Sequence, residues 1–205
     1  AKELGSPCYE IREEDCEILK NTREGIEFSM KEGGYDKAVF QIPFVARYQV
    51  MNAALALKTM EVLGGELTYT AEDLRQGIAQ TRWQGRMETV LPGVILDGAH
   101  NEDGVRRFVE TAKHFQEEAE ITLLFSAVAD KDYKDMIKNI CQEIQLHSVV
   151  TTQIDGYRVV PAEELAQLFR DYGCKDVTAQ PDIPSAFAQA LEKKKDGILF
   201  CVGSL

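Results

Sequence analysis

The spacing of apolar positions changes character near residue 85. Before that point, Glu27-Phe28-Ser29-Met30 and Ala38-Val39-Phe40-Gln41-Ile42 alternate apolar and polar side chains on either side of Glu32-Gly33-Gly34-Tyr35-Asp36, which predicts a β-hairpin. Tyr48 to Leu63 is rich in Ala, Leu and Met and closes on Gly64-Gly65, the pattern of a helix and its stop. Thr70-Ala71-Glu72-Asp73 has the form of a capping box with Asp in place of the usual Glu, and it opens a second helix with Leu74 and Ile78 on its apolar stripe. Thr81 to Gly85 follows neither the helical nor the strand period, holds the only Trp, and reads as an interdomain linker.

Beyond the linker the alternation is regular. A hairpin (Met87 to Leu91, turn Pro92-Gly93, Val94 to Asp97) leads into a helix with Val105, Phe108, Val109, Ala112 and Phe115 on one face. Strand Ile121 to Phe125 follows, then a helix carrying Met136, Ile137, Ile140 and Ile144, then strand Leu146 to Thr151. A third helix starts at Pro161 and buries Leu165, Leu168, Phe169 and Tyr172; a weak strand spans Asp176 to Ala179. A fourth helix runs from Pro184 with Phe187, Ala190 and Leu191 inward, and strand Ile198 to Val202 ends the series. Strands separated by amphipathic helices predict an α/β fold, with a Rossmann-like, mainly parallel sheet flanked by helices.

Composition narrows the functional classes. The formal net charge is −11, and the densest cationic run, Lys193-Lys194-Lys195, falls where a helix should end and complements its dipole. That argues against a nucleic-acid surface but not against an anionic small ligand, because the local field governs a cleft. No apolar run approaches the roughly 20 residues of a membrane span. The five cysteines, Cys8, Cys16, Cys141, Cys174 and Cys201, are scattered without a CxxC, so reduced thiols are expected, with Cys141 and Cys201 in the core. The N-terminus has neither an initiator Met nor a signal core and reads as a chain beginning mid-protein.

The segment richest in chemistry is Gly85-Arg86-Met87-Glu88 followed, across the hairpin, by Asp97-Gly98-Ala99-His100-Asn101. The second loop lies where a buried strand should end, the edge at which open α/β sheets bind ligands. Asp97 can accept from a ribose, while His100 and Asn101 can meet phosphate or carboxyl oxygens beside a helix N-terminus. Asp-Gly as a plain turn with Asn101 as a helix cap is an evenly matched reading. A metal site at Asp97 and His100 lacks further ligands nearby in sequence. Arg86 can clamp a phosphate bidentately or simply pair with Glu88 at the surface. Asn52, an awkward helix-interior residue, suits an adenine edge or a half-buried polar face. In Ala129-Asp130-Lys131-Asp132, either Asp can cap the next helix, and Lys131 can bind an acceptor carboxylate.

In chain order these segments resemble folylpolyglutamate synthases of the ATP-dependent Mur ligase superfamily. The helix Tyr48-Gln49-Val50-Met51-Asn52-Ala53 resembles their His-Gln-x-x-Asn-Ala, and Trp83-Gln84-Gly85-Arg86-Met87-Glu88 their Pro-Gly-Arg-Met/Leu-Glu. Asp97 to Asn101 resembles their Asp-Gly-Ala-His-Asn-Pro, with Glu102 in the Pro place; Asp130-Lys131-Asp132 resembles their Asp-Lys-Asp, and Gly203-Ser204-Leu205 their ending. The resemblance implies that Asn52 contacts adenine, Arg86 the ATP phosphates, Asp97 the ribose and His100 the phosphate side, with Lys131 near the incoming glutamate. Arg86, His100 and Lys131 would then be the catalytic group. It also implies that Mg-ATP activates the γ-carboxylate of a reduced folate as an acyl phosphate, and that the amine of L-glutamate attacks it. Dihydrofolate synthase activity is a further expectation of the same resemblance.

The superfamily's Gly-x-x-x-x-Gly-Lys-Ser/Thr phosphate loop occurs nowhere in the sequence. Residues 1–80 are therefore expected to be the tail of an ATPase domain whose phosphate loop and Mg2+ ligands lie elsewhere. Residues 81–205 would be the C-terminal Rossmann-like ligase domain. These residues alone are expected to be inactive, and the whole enzyme to be a cytoplasmic monomer with no nucleic-acid or membrane partner. The competing readings are another Mur-type peptide ligase, a stand-alone nucleotide- or folate-binding module, and a structural interaction domain.

Overall fold

A computed structural model describes residues 4–22, 24–31, 34–35, 38–64, 68–156 and 158–203, which divide into two compact units at Arg82/Trp83. Outside them lie residues 32, 33 and 36 of the expected hairpin turn, Gly65 of the helix stop, and Ser204-Leu205 of the ending.

In the first unit, β1 (Cys16–Thr22), β2 (Gly25–Met30) and β3 (Val39–Ile42) form an antiparallel sheet in that order, followed by α1 (Tyr48–Leu63) and α2 (Ala71–Gln80). Alternation buries Ile26, Phe28 and Met30 of β2 against Phe40 and Ile42 of β3, and α1 closes this core with Val50, Ala53, Ala54 and Leu57. The stretch from Ala1 to about Phe44 reads as strand-like, but the bounds of β1 within it are not marked by the sequence. Strand β1 is a mostly polar edge strand with a bulge between Ile18 and Lys20, so its period is broken where it would be read. The Thr70 hydroxyl accepts from the Asp73 N–H at 3.1 Å while an Asp73 carboxylate oxygen accepts from the Thr70 N–H at 2.7 Å, the capping box read from sequence. Gly64 is the C-cap of α1 and has right-handed helical angles.

In the second unit a hairpin of β4 (Glu88–Leu91) and β5 (Val94–Asp97) precedes α3 (Glu102–Gln116), β6 (Ile121–Ser126), α4 (Tyr133–Glu143), β7 (Leu146–Thr151), α5 (Ala162–Asp171), β8 (Val177–Ala179), α6 (Ile183–Lys194) and β9 (Ile198–Gly203). The sheet order is β4-β5-β9-β6-β7-β8, parallel throughout except for the β4–β5 pair. The chain skips one place from β5 to β6, steps outward to β8, and returns through α6 to fill the gap with β9. Right-handed crossovers require the returning helix to lie on the other face. Phe108 and Phe115 of α3 pack on Phe200, and Phe169 of α5 on Phe125, with ring centroids 5.3, 6.1 and 5.5 Å apart. The alternate residues Leu124, Leu199 and Cys201 meet Ala186 and Ala190 of α6. Residues on both faces are thus apolar, which is why these strands read as unbroken runs.

The third helix buries Leu165 and Phe169 as predicted, but Tyr172 is exposed and Leu168 only half-buried, because α5 ends at Asp171 and the chain turns away at Gly173. Cys201 is buried, whereas Cys141 at the end of α4 is half-buried. Lys193 and Lys194 do close α6, and Lys193 pairs with Asp176 at 2.7 Å.

Candidate active site

Reversal of strand order places a crevice at the carboxyl ends of β5, β9 and β6, where no crossover helix fills the gap. Asp97 is the last residue of β5 and is only 3 % exposed. Its carboxylate accepts from the Met87 N–H at 3.0 Å and from the Ala99 N–H. Burial nevertheless pushes its pKa up to about 6, against the pull of those two donors, Arg86 and His100. Among the described residues its direct partners are backbone donors, and so buried a carboxylate is costly to ionise.

Arg86 sits between two residues in the left-handed region, Gly85 (φ 66) and Met87 (φ 48). For Met87, whose side chain is fully buried, that backbone is strained and must be held by its surroundings. Three bonds hold it. Gly85 O accepts from the Gly98 N–H at 2.7 Å, Glu88 Oε2 accepts from the Gly85 N–H at 2.9 Å, and Asp97 takes the Met87 N–H. Glu88 therefore serves the turn; among the described residues it forms no ion pair with Arg86, whose guanidinium stays half-buried beside Asp97. The sequence reading missed this role of Glu88 and Met87; Gly85 before Arg86 was the available signal for a left-handed turn.

His100 Nδ1 lies 2.7 Å from Gly98 O. A carbonyl only accepts, so Nδ1 carries a proton, and Nε2 is the ring atom free to meet a ligand, accepting in the neutral ring and donating in the protonated one. Asn101 Oδ1 accepts from the Gly104 N–H at 2.8 Å, so Asn101 is the N-cap of α3, as the simpler reading held.

Across the crevice, Lys131 follows β6. Its loop is tied down by the Val128–Val159 bridge and by Ala129 N–H donating to Arg158 O at 2.8 Å. Asp132 caps α4 and Asp130 pairs with Arg158 at 2.9 Å. The structure brings His100 and Lys131 onto one cleft of about 180 Å³, with Glu102, Asp130, Asp132 and Asp135 also on its walls. Four carboxylates thus share this small space with one ammonium and one imidazole. Gly203, at the end of β9, has φ 116, and a Cβ there would lie 1.9 Å from Ser126 O, so only glycine lets β9 run beside β6 at this edge.

Asn52 belongs to the first unit. It is exposed on α1, not half-buried, and donates to Gln49 Oε1 at 2.8 Å. Among the described residues no group of three or more His, Cys, Asp or Glu side chains is placed to hold a metal ion, and no helix is long and apolar enough to cross a membrane.

These features define a doubly covered α/β domain with a charged crevice at its topological switch point. Residues 85–205 match the family described as Mur ligase, glutamate ligase domain, and the chain belongs to that family. Two relatives are similar in sequence. The dihydrofolate synthase/folylpolyglutamate synthase of Bacillus subtilis is 32% identical over 186 residues, 89% of this chain and 42% of that protein. The folylpolyglutamate synthase of Lacticaseibacillus casei is 34% identical over 100 residues, 47% of this chain and 23% of that protein. The crystal structure of a bifunctional folylpolyglutamate synthase/dihydrofolate synthase from Yersinia pestis, complexed with AMPPNP and Mn ion, superposes with a TM-score of 0.73. It is 22% identical and covers 99% of this chain and 46% of that one, a likeness of fold. The chain spans less than half the length of these relatives.

Proposed function

We propose that this chain supplies the glutamate-ligase part of an ATP-dependent folylpolyglutamate synthase, which joins the amine of L-glutamate to the γ-carboxylate of a reduced folate. The observation that carries this reading is the 32% identity across 89% of the chain to a protein of that activity. Lys131, on one cleft wall with His100, is the cation that this reading gives to the incoming carboxylate. In this reading residues 1–80 are the tail of the ATPase domain and 81–205 the ligase domain.

ATP supplies the phosphoryl group that turns the folate carboxylate into an acyl phosphate. Toward that chemistry this chain contributes position and charge. Arg86, fixed between Gly85 and Met87, offers a guanidinium to phosphate oxygens, and Asp97 accepts from the ribose. His100 donates or accepts at the phosphate side through Nε2, and Lys131 holds a carboxylate of the incoming glutamate so that its amine faces the acyl carbon. Asn52 offers an amide to the adenine edge. Mg2+ would be held largely by the nucleotide and by groups outside these residues. A cytoplasmic monomer is the proposed form of the whole enzyme, and the 205 residues by themselves are expected to turn over no ATP above a blank.

The test is Lys131→Ala in the protein that carries this chain. The KM for glutamate is expected to rise roughly 10- to 100-fold, the worth of one charge-assisted hydrogen bond, with the KM for ATP unmoved. An unchanged glutamate KM contradicts the assignment. A peptidoglycan-type Mur ligase is the second reading, because the family match over residues 85–205 embraces Mur ligases as a whole.

A further inference from the structure

The amino ends of β6, β7 and β8, at the opposite edge of the sheet from Asp97, carry an open cavity of about 650 Å³ lined by Cys141, His147, Tyr172 and Cys174 among others. Cys141 lies in the last turn of α4 and Cys174 just beyond α5. Gly173, with φ 95, folds the chain back over the end of α5, and Cys174 N–H donates to Phe169 O at 3.0 Å. This six-to-one closure of the helix end fixes where Cys174 points. It brings the two sulfurs, 33 residues apart in sequence, to 3.7 Å. Both thiols are free and half-buried, and both reach the cavity; Cys201 is buried and Cys8 is exposed.

We propose that Cys141 and Cys174 form a dithiol site that a small disulfide of the glutathione type oxidises to an intramolecular disulfide, bracing α4 against the turn after α5. This site is independent of the ligase reading. The hydrogen bond between the sulfurs depresses the pKa of Cys174 and raises that of Cys141, which burial raises further. Cys174 is therefore the attacking thiolate. It displaces one small thiolate from the disulfide and forms a mixed disulfide. Cys141 then gives its proton to the released thiolate and attacks the Cys174 sulfur, and the second small thiolate leaves and is protonated by solvent. Two protein thiols are oxidised to one disulfide, and one small disulfide is reduced to two thiols. The disulfide requires the sulfurs to close from 3.7 Å to about 2.05 Å.

The test is to treat the chain with glutathione disulfide, block remaining thiols by alkylation, and map the cysteines by peptide mass spectrometry. A Cys141–Cys174 cross-link is expected, reversible by dithiothreitol, with a rise in Tm on the order of 5–10 °C. In Cys141→Ser, Cys174 should trap a mixed disulfide with glutathione; in Cys174→Ser, Cys141 should stay alkylatable. The exposed Cys8 should react in all three and so reports that the reagent is active. Free Cys141 and Cys174 beside a reacted Cys8, or a stable mixed disulfide without a cross-link in the unsubstituted chain, would overturn the site. A cross-link without any gain in Tm would overturn the brace.

Discussion

Asp97 Oδ2 accepts the backbone N–H of Met87 at 3.0 Å, so the carboxylate at the end of one strand fixes the strained residue that follows Arg86. Ionisation of one residue is thereby tied to the placement of a cation beside it.

The pH dependence of stability follows. Asp97 titrates near 3.8 when unfolded and at about 6 when folded. Between those values the folded state holds more protons, so stability from this group is full below about pH 4 and is lost as pH rises through 6. The difference amounts to about 3 kcal/mol at neutral pH. Subtracting the Tm–pH curve of Asp97→Asn from that of the unsubstituted chain should give a term that falls between pH 4 and 7. A flat difference would mean the carboxylate is not desolvated.

Arg86 is expected to act through geometry as well as charge. Arg86→Ala should lower kcat of the protein carrying this chain by roughly 10²–10³-fold, with the fold intact by circular dichroism. Arg86→Lys keeps the charge but loses the planar fork and should recover only part of the loss. Full recovery by Lys would reduce the role to simple charge.

Gly203→Ala puts a methyl group into Ser126 O and asks alanine to hold φ 116. The chain is expected to lose roughly 1–3 kcal/mol in chemical denaturation, whereas Gly77→Ala on α2, where a Cβ meets nothing within 4 Å, should gain up to about 1 kcal/mol. No loss in Gly203→Ala would show that β9 and β6 can separate at this edge.

The alternation of amphipathic helices and apolar strands was legible because each helix buries one stripe and each central strand is covered on both faces, as with Phe108 and Phe115 against Phe200. The strand character of the first 44 residues was legible, but the bounds of β1 were not, since an edge strand with a bulge carries no clear period. The crevice was legible in outline: Asp97 and His100 close a strand, and Lys131 follows the next. What sequence could not give was anything set by topology. The insertion of β9 between β5 and β6 makes the crevice, and the turn at Gly173 brings Cys174 to Cys141. Nor could spacing show that Glu88 serves the Gly85 turn instead of Arg86, because that choice rests on a left-handed backbone at Met87.

The most direct measurement is ADP release by the protein that carries this chain, with acceptors offered one at a time. Release is expected to require both a reduced folate and L-glutamate, and to fall roughly 10²–10³-fold in Arg86→Ala. Release driven instead by a UDP-linked muramoyl peptide precursor, or none with folate and glutamate together, would contradict it.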